Sequence, residues 1–545
     1  MSRLHAKHLL LLGAAVLACC AAPGPPSSLP PGRPEPERVL PARVGEQPAI
    51  VVLQLGPGGA QILVGATDEG PVALPASRWL AEVSCKADDG LAVLEVLAAA
   101  RPHALALHVD TTGTFQAHPV PTRPPARLIE ALAGLAPELE ELHLEGPWEV
   151  GPQDLVTLGG LTRLRKLRLG VLHLLPGALV SLAHLPAFRE LNLEPTLQVH
   201  PEAWGDLTQL QGLESLSAAG VPAWISFGDP TPKISDTELA LIVASAPGLR
   251  ELDLSHSPRV LTEAGLSHLS ELHHLETLRM DDCGELSPGN LRPLRDLPLR
   301  ELSLAGAFER ASQVDQACLD EIGRLSGIRV LRLGSCGESE WAWLPRLGGL
   351  EVLDLGHLEL TNQGVGFLEE LPHLRELTTR LSAELDRQGL LRLAALPALR
   401  HLTIAEGWAP EDAPAPDDAF LARLANGRRL ETLDLFDVCA DYGDEGFTAL
   451  ASCGNLRELR LHAPAIGSAG VKALSGLPHL RTLWLRGRFV VRDLAPLRAA
   501  PALRALWLEG PRLTYEGVRR ELSGLRLTSI EVFGPDDENC SRCSR

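Results

Sequence analysis

The side chains of this chain that are best suited to chemistry fall into a few small sets, and their spacing argues against a reaction centre. Cys540-Ser541-Arg542-Cys543 is a lone C-x-x-C. A zinc site takes four ligands, and no second pair or histidine cluster supplies them in sequence, so a tail disulfide or two free thiols is the better reading. The acidic group Asp437, Asp441, Asp444 and Glu445 lacks the alternate-residue spacing of a calcium loop. Gly443-Asp444-Glu445-Gly446-Phe447 instead opens a turn-to-helix phrase found elsewhere in the chain. His273-His274 has no partner at helical spacing and reads as surface. G-x-S-x-G, H-E-x-x-H, Walker and dinucleotide motifs are all missing. No catalytic residue, bound metal or cofactor is expected.

What must position every remaining candidate is a repeat. The pattern L-x-x-L-x-L begins at Leu139, Leu164, Phe188, Leu213, Leu249, Leu275, Leu299, Ile328, Leu350, Leu374, Leu399, Leu430, Leu456, Leu480, Leu503 and Leu527, sixteen copies at intervals of mostly 22 to 26 residues. Weaker copies at Leu80 and Ala104 extend it upstream, after a β-rich stretch from Ile50 to Leu74. Alternation predicts a short strand in each copy, with Leu252 and Leu254 facing a core and Glu251 and Asp253 facing away. A hydroxyl and a glycine follow, as in Thr262-Glu263-Ala264-Gly265-Leu266, Thr361-Asn362-Gln363-Gly364-Val365 and Thr514-Tyr515-Glu516-Gly517-Val518. The hydroxyl suits the N-cap of a helix. One strand and one helix cannot bury their apolar faces alone, so neighbouring copies must stack.

These features resemble the leucine-rich-repeat family, in particular its ribonuclease-inhibitor-like and cysteine-containing branches, over about 400 residues. The resemblance implies an α/β solenoid curved into a horseshoe, with a parallel β-sheet on the concave face and helices on the convex face. At about 4.8 Å per strand the concave sheet would run on the order of 70 Å. One departure is clear: the asparagine that commonly follows the strand in this family is absent, with Cys283 and Cys336 at its position in two copies. These two lie two repeats apart, about 10 Å, too far to bridge, and are expected to be packing groups. Longer intervals mark insertions around 219–235, 308–317 and 407–418.

On this frame two columns stand out. Arg165, Arg189, Arg250, Arg300, Arg329, Arg375, Arg400, Arg457, Arg481 and Arg504 follow the first apolar position and would stack along one sheet edge. They form either an anion-binding edge or, the favoured reading, a solvated row paired with Glu190, Glu251, Glu301, Glu376 and Glu458. The fifth position is polar or charged from His143 to Arg460 and then becomes Trp484 and Trp507. With Arg460 and Glu531 in the same register, this makes a candidate protein-binding patch of the composition enriched in hot spots. The competing reading is that the tryptophans cover the C-terminal end of the solenoid.

The N-terminus supplies an address. Arg3 and Lys7 precede the apolar run Leu9–Ala18, which is too short to span a bilayer and reads as an export signal. Val16-Leu17-Ala18-Cys19-Cys20 resembles the bacterial lipobox, which implies lipidation of Cys19 or Cys20; ordinary secretion is the alternative. A proline-rich segment could then hold the body on the order of 80 Å from a membrane. The expected organisation is a signal over 1–19, a tether over 20–48, a cap with degenerate repeats over 49–115, repeats over 116–535 and a tail over 536–545.

A net charge of −19 over 545 residues argues against nucleic acid, whose phosphates need a basic surface. The expected function is a non-enzymatic scaffold, monomeric and lipid-anchored in the cell envelope, binding a protein or peptide on its concave face. A structural spacer and an intracellular adaptor resembling ubiquitin-ligase substrate receptors are the alternatives.

Overall fold

A computed structural model describes residues 139–533 apart from 172, 195, 197, 221–233, 257–260, 284–285, 306–314, 335–339, 406–414, 436–437, 439, 441, 464, 526 and 528. Before residue 139 it describes 39–40, 50–55, 61–66, 72–73, 79–85, 97, 102–109, 124, 129–130 and 132. The signal, most of the tether, the tail, Cys336 and the greater part of the three insertions lie outside the described residues. The chain divides into two compact units, Met1–Leu275 and Glu276–Arg545.

In the first unit, Ile50–Leu55 pairs antiparallel with both Gln61–Ala66 and Trp79–Cys85. From Trp79–Cys85 onward the pairing is parallel, through Ala104–Val109, Glu141–Glu145, Lys166–Gly170, Glu190–Asn192, Ser215–Ser217 and Glu251–Asp253. The second unit continues the pattern from Thr277–Arg279 to Ser529–Phe533, again all parallel. Every copy of the L-x-x-L-x-L pattern carries a strand beginning two residues after its first apolar position. Across the L-x-x-L-x-L positions the register is constant, because a slip of one would turn each leucine to water; the shifts lie outside that frame, between Val52 and Leu53 and between Asp354 and Glu359. Fourth- and sixth-position side chains from Leu142 to Leu508 are accordingly 0–2 % exposed.

The return segments depart from the expectation of one helix per copy. In the first three copies 3-10 turns stand there, Val156–Gly160, Val180–His184 and Pro201–Gln209. Short strands precede them, Glu149–Val150, His173–Leu174 and Gln198–Val199, joined in a second parallel sheet. Gly159-Gly160 disfavours an α-helix interior in the first of these copies. From Asp236–Ser245 onward most copies carry an α-helix.

Two devices replace the missing asparagine. At that position Thr196, fully buried, donates through Oγ1 to the Leu169 carbonyl at 2.7 Å and accepts from the Val171 amide at 3.4 Å, both in the preceding repeat. Elsewhere backbone bonds run on past the strands, as from Asp282 N to Ala305 O at 2.8 Å and Gly487 N to Glu509 O at 2.9 Å. Asp281 adds bonds from Ser303 Oγ at 2.6 Å and Ala305 N at 2.7 Å.

On the opposite side, the first residue of a helix caps the next repeat. Asp418 accepts from Gly443 N at 2.7 Å, and Asp444 accepts from Gly467 N and Gly470 N, both at 2.8 Å. Asp236 accepts from Thr262 N and Oγ1, and Asn362 from Asp386 N. At four places these side chains explain the glycine two residues into the following helix. A Cβ at Gly265, Gly389 or Gly446 would overlap the Asp236, Asn362 or Asp418 oxygen, and one at Gly470 would lie 2.6 Å from Asp444 Oδ1. Asp444 is therefore a repeat-to-repeat cap, and among the described residues no group of three or more His, Cys, Asp or Glu could hold a metal ion.

Removing the Asp444 carboxylate in Asp444→Ala should cost about 1–2 kcal/mol through the orphaned amides. Gly470→Ala should lower the melting temperature, whereas Gly454→Ala, where an added Cβ meets nothing within 4 Å, should leave it unchanged. Thermal unfolding followed by circular dichroism separates the three variants.

Candidate binding surface

The face of the sheet turned away from the leucines carries the odd-numbered positions of the repeat. In the second unit the fifth position runs Arg279, Ser303, Arg332, Asp354, Thr378, Thr403, Asp434, Arg460, Trp484, Trp507 and Glu531, each register-paired with the next. At its start charge is neutralised within the row and its neighbour. Arg279 and Arg332 both reach Glu301 Oε1, at 3.0 and 2.7 Å, and Glu301 is only 13 % exposed.

At the other end the row turns aromatic. Trp484 and Trp507 stack with ring centroids 4.8 Å apart and planes 16° from parallel. That separation is the strand spacing itself, so parallel pairing brings the indoles into offset-stacking range. The Arg460 guanidinium lies 4.0 Å from the Trp484 ring centroid while its Nη1 bonds Asp434 Oδ2 at 2.9 Å. Phe533 closes on Trp507 from the far side, at 4.8 Å and 40°. Both tryptophans are half-buried, and Phe533 is 36 % exposed. Arg486 and Glu509, bonded at 2.6 Å, run alongside.

The structure thus brings together three of the four residues singled out in sequence. Glu531 holds the register position beside Trp507 but is replaced as its stacking neighbour by Phe533, two residues on. Phe533 occupies the seventh position of the last repeat, one alternation beyond the L-x-x-L-x-L frame, and extending the period of two by one step would have found it. The tryptophans alternate with buried leucines and so lie on the outer face of the sheet. The end exposes Ile530 and Val532, both only half-buried where their counterparts are sealed.

Six arginines of the column are ion-paired, with a correction to their partners. Arg189 meets Glu214 at 3.4 Å, Arg300 meets Glu276 at 3.4 Å, Arg329 and Arg375 share Glu351 at 2.9 and 3.1 Å, and Arg400 and Arg457 share Glu431 at 3.0 and 3.7 Å. These glutamates hold the arginine position in adjacent repeats. Glu301, named as a partner, serves Arg279 and Arg332 instead. Stacking brings like positions together, so partners come from the same column rather than from the next residue. Cys283 is buried, as a packing group should be, and His273 and His274 are exposed. Cys19, Cys20, Cys540 and Cys543 lie outside the described residues.

In the first unit the fifth-position row starts at His143, only 8 % exposed, whose Nε2 has no hydrogen-bond partner among the described residues. Burial, aided by the charges of Arg168 and Lys166 and opposed by Glu145, pushes its pKa down to about 3. Beside it His108 Nδ1 and Glu145 Oε2 are 2.7 Å apart. The unfolded imidazole takes a proton near pH 6.5 and the folded one only near 3. Stability from this group is therefore whole above pH 6.5 and falls as pH drops towards 3, by up to about 1.4 kcal/mol per unit. His143→Leu should flatten that slope in urea titrations across this window; an unchanged slope would refute the assignment.

No family model and no curated protein matches the sequence. Solved structures do. The TLR13–ssRNA13 complex is 19 % identical at a TM-score of 0.44, over 74 % of this chain and 62 % of that chain, so this chain spans less than two thirds of its length. A leucine-rich-repeat protein of Leptospira interrogans is 18 % identical at 0.40, over 76 % and 100 %, and an internalin of Listeria monocytogenes is 16 % identical at 0.33, over 77 % and 93 %. On its own register, leucine core and strand-to-helix units, the chain is folded as a leucine-rich-repeat solenoid.

Proposed function

We propose that this protein is a non-enzymatic scaffold that binds a protein or peptide through the aromatic end of its sheet face. The observation that carries this is the contrast along one row, polar and charged side chains as far as Arg460 and then two stacked indoles, with the Phe533 ring leaning over Trp507 from the seventh position. Because the indole faces are covered by Arg460, by each other and by Phe533, the patch offers ring edges to a partner. Electropositive edges suit carbonyl and carboxylate acceptors and edge-to-face aromatic contacts. Tryptophan and arginine together are the composition of binding hot spots.

The same reading places the scaffold at a cell envelope, tethered through a lipid on Cys19 or Cys20. What supports this is the basic, apolar and cysteine order of the N-terminus.

Trp484→Ala with Trp507→Ala should abolish partners captured by crosslinking on intact cells, while costing about 0.5–1.5 kcal/mol of stability from the lost ring pair. Capture equal to wild type would remove the patch from the account. Feeding cells a radioactive fatty acid should label the wild type, and Cys19→Ser with Cys20→Ser should lose the label. An unlabelled wild-type protein would overturn the tether.

A further inference from the structure

The last described strand, Ser529–Phe533, pairs with Ala505–Glu509 on one side and, among the described residues, with nothing on the other. Ser529 N donates to Arg504 O, and Phe533 O accepts from Gly510 N. Alternation therefore directs the amides and carbonyls of Ile530 and Val532 to the open side. Such a row is a template for another strand. The side chains agree. Ile530 and Val532 are half-buried where the equivalent leucines one repeat earlier, Leu506 and Leu508, are 2 % and 0 % exposed. The aromatic stack is also unfinished here, because the outer face of Phe533 is its one ring face without a neighbour from a following strand.

Three exposed arginines, Arg512, Arg519 and Arg520, stand in the turn and helix of this final repeat with no ion pair among the described residues. Helix Tyr515–Glu521 packs directly on the edge strand.

We propose that this edge is a peptide-docking site: an acidic, extended segment of a partner protein adds as a further strand beside Ser529–Phe533 and stacks an aromatic side chain on Phe533. Main-chain bonds to Ile530 and Val532 supply affinity that does not depend on sequence. The ring at the next strand spacing and the arginines supply the selection, the first by continuing a 4.8 Å stack and the second by charge. A second copy of the chain is a poorer occupant, since a strand of 5 residues and one ring fall short of the roughly 800 Å² per partner of a stable interface. The proposal rests on the reading of the aromatic column as a binding surface and specifies how its open end is used.

The test selects a phage-displayed random peptide library on the full chain and measures the enriched peptides as synthetic ligands by fluorescence anisotropy. Enriched sequences should share an aromatic residue with Asp or Glu at alternate positions. Their affinity should fall about tenfold or more in Val532→Pro, which removes an edge amide that a solvent-facing strand can lose. Phe533→Ala, which leaves the backbone intact, and the pair Arg519→Glu with Arg520→Glu should weaken them likewise. Trp484→Ala, one ring removed from the edge, should not. Peptides weakened by Trp484→Ala but indifferent to Val532→Pro and Phe533→Ala would overturn the edge site while leaving the sheet-face reading standing. Failure to enrich any sequence would overturn the edge site alone, because the crosslinking variants test the sheet face separately. A wild-type dimer that Val532→Pro or Phe533→Ala converts to monomer would also overturn it, giving the edge to a second copy.

Discussion

A repeat of two dozen residues has leucines on one side of a short strand and nothing of its own to cover them. Burial comes from the neighbour, at one strand spacing, and every other feature of the molecule is subordinate to that dependence. It fixes the parallel pairing and a constant register across the L-x-x-L-x-L frame, because each fourth- and sixth-position side chain must fall on its counterpart. It also makes the final strand different in kind: Ile530 and Val532 are built like their predecessors, and only the absence of a described neighbour leaves them half-covered.

Stacking creates a second obligation, since the polar groups of each turn and helix start must be satisfied between repeats as well as within them. The family's asparagine is one solution. Here Thr196 serves one turn, extended backbone ladders serve others, and on the opposite side Asp236, Asn362, Asp418 and Asp444 each reach forward to the next helix start. At Gly265, Gly389, Gly446 and Gly470 the glycine of the turn-to-helix phrase is the steric imprint of that reach, required by an oxygen from another repeat.

The same spacing governs the sheet face. Identical positions recur at about 4.8 Å, so like charges would repel and unlike charges or flat rings attract. The arginine column is interrupted by Glu276, Glu351 and Glu431 at intervals that let one carboxylate serve two guanidinium groups in two of these cases. Where the row becomes aromatic, stacking leaves the tryptophans as edges and Phe533 as a face. A patch that composition alone marks as hydrophobic is thus a directional surface of ring edges with Phe533 beside it.

Strand positions, core and solenoid class are legible in the residues, because a period of two inside a period of about 24 has a single way to bury its leucines. Trp484, Trp507 and Arg460 fall in one row for the same reason, since register follows from the repeat. Other features depend on the distance between repeats rather than on order along one. The partners of the arginines, the oxygen that excludes a side chain at Gly470, and the burial that keeps His143 neutral are all set by residues one repeat away. The 3-10 turns of the early copies belong there too, since a short return segment obeys its neighbours' packing more than its own propensity. Phe533 stood between the two: its period was readable, but its ring lies over Trp507 rather than in its own register row, and that lean is a matter of side-chain packing.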